Sequence, residues 1–268
     1  MLAVRASPDW AGLAEDHAAG KTIEPSRFMP AKHKRFPLDI PDHIARWNRL
    51  SGVSFWACRE RIRAIAAGNL ASVADVTMTR ADDVPALLER TGAAPALLFF
   101  HDDDDWFHPE MVRILRESDL DLAAIDVVVT PFFRLAKSLV TFTQGAREVP
   151  GGLGEYEAFR YRYCTNNYGL TGSALRTGPA DLVEHIDASA AGDEKGFVDV
   201  HLDVVISATN KSPCSAAWVR ELPDTPAAFR EHVRTYVEVV SEACDSSPHE
   251  WVNAPLRETR DLFLEVLD

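Results

Sequence analysis

The sequence predicts an α/β fold, a single mixed sheet flanked by helices, and three observations predict it. Between Ser51 and Asp126, short strand-like runs alternate with helix-like ones, the pattern of chains that wind a sheet between helices. The apolar runs Ala96 to Phe100 and Ala123 to Thr130 have strand length and no polar alternation, as buried strands do. With 46% apolar and 26% charged residues over 268 positions, the chain can bury a substantial core and does not have the composition of a disordered one.

From Met1 to about Leu50 the chain reads as an irregular amino-terminal arm, interrupted by Pro8, Pro25, Pro30, Pro37 and Pro41. Its basic cluster, Lys32, His33, Lys34 and Arg35, reads as a solvated run or as a phosphate contact. Residues 51–268 read as the main domain. Cys58 to Leu70 is helix-like, Ser72 to Thr79 strand-like, Val84 to Arg90 a short helix, and Ala96 to Phe100 a buried strand. Next comes HDDDDWFHPEMVRIL, in which Pro109 suits a first helical turn and Glu110 faces the helix's positive end. Met111, Val112, Ile114 and Leu115 follow at helical spacing. The acidic run therefore stands between a strand's carboxyl end and a helix start, at the edge where open α/β sheets bind ligands.

Ala123 to Thr130 and Lys137 to Thr143 read as two further strands. They lead into a loop from Gln144 to Glu155 that holds Gly145, Gly151, Gly152 and Gly154. Its GGLG lacks the Lys-Ser/Thr of a phosphate-binding loop, so the glycines read as flexibility, suited to a cover over a site. The stretch EYEAFRYRYCTNNYGLTGSALR carries Tyr156, Phe159, Tyr161, Tyr163 and Tyr168. It reads either as a half-buried sheet edge or as an aromatic platform for sugar or base rings, with Asn166, Asn167 and Thr171 supplying hydrogen bonds. Pro179 to Ile186 reads as a helix, and Phe197 to Ser207 as a strand that sets Asp199, His201 and Asp203 on one face. Pro226 to Cys244 is an amphipathic helix capped by Thr225, with Phe229, Val233, Tyr236, Val237 and Val240 as its stripe.

A net charge of -13 argues against general nucleic-acid binding by phosphate neutralisation. No apolar run approaches the roughly 20 residues of a membrane-spanning helix. The first residues lack the apolar core of a secretory signal, and Cys58, Cys164, Cys214 and Cys244 form no CxxC pair. These features lead us to expect a reduced, cytoplasmic protein.

Asp102 to Asp105 are four neighbouring carboxylates whose repulsion raises one another's pKa values when partly desolvated. A hard divalent cation such as Mg²⁺ or Mn²⁺ removes that repulsion and leaves positions open for water and substrate phosphates. The same residues also read as a solvated acidic turn that caps the following helix.

A strand followed by D-x-D-D-W-x-x-P, here Asp102 to Pro109, resembles the DxD-dependent glycosyltransferases of the GT-A fold and is similar to a bacterial rhamnosyltransferase group within it. YGLTGSALR resembles the glycine-containing strand and small-residue turn of the same family, and the two together span Ala71 to Asp203. His101 departs from the apolar residue that leads the motif, and the amino-terminal half shows no clear first strand of a nucleotide-binding βαβ unit. The resemblance implies a GT-A-like catalytic domain over 51–268, with nucleotide binding at about 51–130 and acceptor binding at about 131–268. It implies Asp104 and Asp102 as metal ligands, Asp102 and Asp103 as nucleotide contacts, and a base-gripping region near Thr79, Arg80 and Asp82. His201 is a candidate to complete the metal shell. Asp199 or Asp203 is the candidate base for the acceptor hydroxyl, with Asp193 and Glu194 behind them.

The function so implied is metal-dependent transfer of a sugar from a nucleoside-diphosphate sugar to a hydroxyl on a small-molecule or glycan acceptor, with Mn²⁺ or Mg²⁺ as cofactor. Two other readings fit the acidic run: a Mg²⁺-dependent phosphohydrolase or nucleotidyltransferase, and a non-catalytic acidic α/β interaction protein.

Overall fold

The computed structural model describes residues 2–5, 19, 40–80, 84–91, 96–101, 105–135, 153–156, 167–177, 198–210, 212–214 and 222–268. In chain order the elements are β1 (Leu2–Arg5), α1 (Ile40–Ser51), α2 (Phe55–Ala71), β2 (Thr77–Arg80), α3 (Val84–Thr91), β3 (Leu97–His101), β4 (Asp105–Phe107) and α4 (Met111–Glu117). They continue with β5 (Val127–Val129), β6 (Phe132–Leu135), β7 (Leu153–Tyr156), β8 (Tyr168–Thr171), α5 (Gly172–Thr177), β9 (Asp199–His201), β10 (Ser207–Asn210), α6 (Pro226–Ser246) and α7 (Glu250–Leu267). The chain divides into two units, Met1–Ala6 with Gly68–Phe133 and Glu155–Thr209, and Ser7–Ala67 with Arg134–Gly154 and Asn210–Asp268.

The first unit is built on a six-stranded sheet of order β2-β1-β3-β8-β5-β9. β1 runs parallel to β2 and β3, β5 runs parallel to β9, and β8 is antiparallel to both of its neighbours, β3 and β5. Five strands thus share one direction and β8 alone opposes them, the mixed α/β architecture the sequence predicts. A second sheet, of order β4-β10-β6-β7, accompanies it. Two sheets with flanking helices are compatible with a GT-A-like fold.

The amino-terminal stretch read as an arm opens with an interior strand. Leu2–Arg5 pairs on one side with Thr77–Arg80 and on the other with Leu98–His101. Four residues carry too little periodicity to announce a strand, and this one gains its ladder from partners more than 70 positions away.

One face of the sheet carries the unit's core. Leu97, Phe99 and Val128 pack with Leu70, Val73, Phe107, Met111, Val112, Leu115, Ile125 and Ile206. Met111, Val112 and Leu115 are the apolar stripe expected of that helix, and their burial pins α4 to the sheet. β4 is held from two sides: Asn69 Oδ1 accepts from the Phe107 N–H at 2.9 Å, and β10 pairs antiparallel with it, Ala208 opposite Trp106. Trp106 is buried packing.

The single strand expected from Phe197 to Ser207 is divided. Asp199–His201 joins the six-stranded sheet and Ser207–Asn210 the four-stranded one, with a bend at Asp203 and Val204 between them. One apolar run serves two sheets here, and periodicity carries no mark of the change. The expected strand Ala123 to Thr130 shortens to Val127–Val129, because Leu122 to Ala124 turn, the Ala123 N–H donating to Asp121 Oδ1 at 3.0 Å. Leu153–Tyr156, the close of the glycine-containing loop, is β7. The expected strand Lys137 to Thr143, the rest of that loop and the expected helix Pro179 to Ile186 lie outside the described residues.

The described part of the second unit is mostly helical. α1 buries Ile44, Trp47 and Leu50, and α2 buries Phe55, Cys58, Ile62 and Ala66. α6 buries Phe229, Val233, Tyr236, Val240 and Ala243, so the expected stripe holds, with Val237 half-buried at its margin. Trp47 meets Phe55 and Phe229 edge-on at centroid distances of 5.5 and 5.6 Å, and Tyr236 meets Phe263 of α7 at 5.4 Å. Such edge-to-face pairs add to the area they bury. Thr225 caps α6 as expected, its side chain accepting from the Ala228 N–H at 3.2 Å.

Candidate functional site

Five parallel strands place their carboxyl ends on one edge of the six-stranded sheet. Arg5 is in register with Arg80 on one side and His101 on the other, and Val129 is in register with His201. The antiparallel β8 brings its amino end, Asn167 and Tyr168, to the same edge, Tyr168 opposite Val129. From β1 the chain passes to β2 on one side and returns to β3 on the other, so the strand order reverses between β1 and β3. A crevice outside the carboxyl ends at such a reversal is the common ligand position of open α/β sheets. The acidic run begins there, directly after His101.

Asp102, Asp103 and Asp104 themselves lie outside the described residues. The residues that bracket them are placed. His101 is buried, 4% exposed, with its ring 5.4 Å from that of Phe107 and tilted by 41°. Asp105 opens β4, is buried, and lies opposite Thr209 of β10. His108 Nδ1 accepts from the Glu110 N–H at 3.0 Å, satisfying one of the donors that a helix start leaves over. Glu110, expected to face that start, makes no side-chain cap and pairs with Arg113 at 2.5 Å.

At the other side of the edge, His201 Nε2 and Asp199 Oδ2 are 3.1 Å apart. Both project from the face opposite Val200, which packs on the core. Their side chains keep 33% and 20% of their surface, so they are tied to each other and still reachable. Strand alternation does not carry on to Asp203: the strand ends at His201, Leu202 donates to the Val129 carbonyl at 2.9 Å, and Asp203 stands exposed in the bend beyond. The structure thus joins Asp199 to His201 and sets Asp203 apart.

The strand order also spaces the candidates. β3 and β9 are three strand steps apart, about 14 Å at the usual inter-strand distance. His101 continues the alternation of Leu97 and Phe99 and so faces the core side, opposite to His201. Arg80 ends β2, two steps from β3 on the other side. Among the described residues, no group of three or more His, Cys, Asp or Glu side chains is arranged to hold a metal.

The aromatic-platform reading meets two findings. Tyr168 is buried, 1% exposed, and so presents no open face. Thr171 lies at the far edge of the sheet, buried, where its hydroxyl donates to the Ile125 carbonyl at 3.0 Å and accepts from the Ala174 N–H at 3.2 Å. It ends β8 just before α5 and is remote from the edge that carries the strands' carboxyl ends. Asn167 is buried at that edge, its carbonyl accepting from the Thr130 N–H at 2.8 Å. Asn166, Tyr161 and Tyr163 lie outside the described residues.

No protein-family model matches the sequence, and no curated protein matches it. Among solved structures, the chain is similar to the S. aureus TarS 1-349 crystal structure at 10% identity and a TM-score of 0.31, over 99% of this chain and 70% of that one. No helix among the described residues is long and apolar enough to cross a membrane.

Proposed function

We propose that the chain is a metal-dependent glycosyltransferase of the GT-A kind, which moves a sugar from a nucleoside-diphosphate sugar to a hydroxyl of a small-molecule or glycan acceptor. The observation that carries this reading is the position of the D-x-D-D-W-x-x-P run. In sequence it begins directly after β3, whose carboxyl end stands where the strand order reverses, and its Asp105 to Phe107 form β4, with α4 next in the chain. The carboxylates suit a hard cation, and Asp104 with Asp102 are the residues we assign to Mn²⁺ or Mg²⁺. Such a cation, when bound, stabilises the charge that develops on the departing diphosphate. Asp102 and Asp103 are assigned to the nucleotide, with Arg80 at the same sheet edge.

The acceptor hydroxyl needs a base within hydrogen-bond reach. Asp199 fills that role in this reading, steadied by its contact with His201. This is the more economical use of His201, since strand spacing sets it about 14 Å from β3 and its Nε2 faces Asp199.

The test is a thermal-shift panel of UDP, GDP, dTDP and CDP, each with Mn²⁺, Mg²⁺ or chelator, on the unmodified chain and on Asp104→Ala. A ligand held only by the folded chain raises the melting temperature. The expected result is a metal-dependent rise with one nucleotide that Asp104→Ala loses. Metal-dependent release of phosphate or pyrophosphate without a sugar acceptor would point instead to a phosphohydrolase or nucleotidyltransferase. No rise with any nucleotide would leave the aspartates as an acidic stretch without a nucleotide ligand and overturn the proposal.

A further inference from the structure

The second unit holds a pair of thiols for which sugar transfer has no use. Cys58 lies on the buried side of α2, 4% exposed, and Cys214 closes the described turn 212–214, 1% exposed. Two hydrogen bonds hold that turn against the helices: Arg59 Nη1 donates to the Cys214 carbonyl at 3.1 Å, and Trp47 Nε1 donates to the Pro213 carbonyl at 3.3 Å. The two thiols stand within hydrogen-bond reach of each other. Neither is in a disulfide.

We propose that Cys58 and Cys214 are a redox-responsive dithiol, which a small-molecule disulfide oxidises to an intrachain disulfide between α2 and the 212–214 turn. In the first step the Cys58 thiolate attacks one sulfur of R–S–S–R, forming a mixed disulfide and expelling RS⁻. In the second, Cys214 gives its proton to solvent and attacks the Cys58 sulfur, expelling the second RS⁻. The two cysteines lose two electrons and two protons, and the small disulfide becomes two thiols. Bond formation brings the sulfurs to about 2 Å.

Cys58 is the attacking member because its thiolate is favoured. The hydrogen bond with Cys214 holds the Cys58 thiol below its ordinary value of 9.0; burial opposes it, and the Arg61 charge that also lowers it is countered by that of Glu265. Cys244 makes the contrast. Burial pushes its thiol up, and its Sγ donates to the Asn253 carbonyl at 3.7 Å.

The test treats the full native chain with oxidised glutathione, quenches in acid, alkylates in denaturant and measures intact mass. Alkylated thiols should fall from the four of the sequence to two, with no glutathione adduct, and a reductant should restore all four. A non-reduced digest of the unsubstituted chain should contain one linked pair, the Cys58 peptide joined to the Cys214 peptide. Because the bond closes a long loop and restrains the unfolded chain, the oxidised protein should also melt higher. Cys214→Ser should trap a glutathione adduct on Cys58, while Cys244→Ala should still form the linked pair. Four thiols surviving the treatment, a stable adduct on Cys58 in the unsubstituted chain, or a linkage through Cys164 or Cys244 would each overturn the proposal.

Discussion

The ring of Phe99 lies against Gly169 so closely that a Cβ there would stand 2.6 Å from its Cε2 and 2.8 Å from its Cζ. The two residues are register partners on β3 and β8, and Phe99 has no exposed surface into which to turn. Gly169→Ala should therefore cost about 1–3 kcal/mol, the usual penalty of overpacking a core. A Leu in place of Phe99 removes the ring edge. The pair Gly169→Ala with Phe99→Leu should then cost less than the sum of the two single changes, measured as a double-mutant cycle in denaturant unfolding. Strict additivity would mean that the ring is not what makes glycine necessary.

Gly68 is the opposite case. It sits exposed near the end of α2, and a Cβ there meets nothing within 4 Å. A glycine in a helix holds more conformational freedom in the unfolded chain than alanine does, so Gly68→Ala should stabilise by about 0.5–1 kcal/mol. A rise in the denaturant midpoint at unchanged slope would report it.

These two glycines show what the chain's text reveals and what it conceals. The strand before the acidic run and the helix after it were legible because each has its own local signal: an apolar run in one, a proline and a 3.6-residue stripe in the other; β4, which takes in Asp105, was not. Thr225 and the α6 stripe were legible for the same reason. Leu2–Arg5 was not, since its identity as a strand lies wholly in partners far along the chain. Nor was α7, whose interior Pro255 argues locally against a helix. Its helix is restored by tertiary packing of Leu256, Leu262, Phe263 and Val266. At the site, alternation brought Asp199 and His201 together correctly, and it failed at Asp203 because a sheet change ends the strand. The burial of Tyr168 and Thr171 is likewise a property of the packed sheet and leaves no trace in spacing.

That division of Asp199 from Asp203 yields a kinetic expectation under the transferase reading. Asp199→Asn should lower kcat by roughly 10²–10⁴, the usual contribution of a general base, and leave nucleotide-dependent thermal stabilisation in place. Asp203→Asn, in the exposed bend, should turn over like the unmodified chain. Steady-state kinetics of the two variants with a saturating donor distinguish them, and equal losses in both would remove Asp199 from its role.

Asn253 joins the end of α6 to the start of α7. Buried at 3%, its Nδ2 donates to the Ser247 carbonyl at 2.8 Å and to the Cys244 carbonyl at 3.4 Å. These serve carbonyls at a helix end, which have no partner within the helix. Asn253→Ala should cost about 1–3 kcal/mol by leaving them buried and unpaired. Asn253→Asp should cost more at neutral pH, where an ionised carboxylate would face two carbonyl oxygens, and should recover part of the loss in acid as it gains a proton. Urea unfolding at pH 7 and pH 4 checks both the order and the recovery.

Glu265 of α7 takes a two-toothed contact from Arg61 of α2, with Nη2 to Oε1 at 2.9 Å and Nη1 to Oε2 at 2.5 Å. The hydrogen bonds from Arg61 hold the Glu265 carboxyl below its ordinary value of 4.5, and the guanidinium charge adds to them. A carboxyl lowered by folding contributes stability that is fully present above its unfolded value and is lost as pH falls through its folded value. The window is therefore acidic, beginning near 4.5 and extending below it. Both groups are exposed, so the effect is small and salt screens it. Glu265→Gln should melt slightly below the unmodified chain at pH 7 in low salt. The gap should close as pH falls below the window, and it should narrow at pH 7 when salt is raised. A gap that is unchanged across pH and salt would mean that the two side chains contribute through packing of their stems and not through charge.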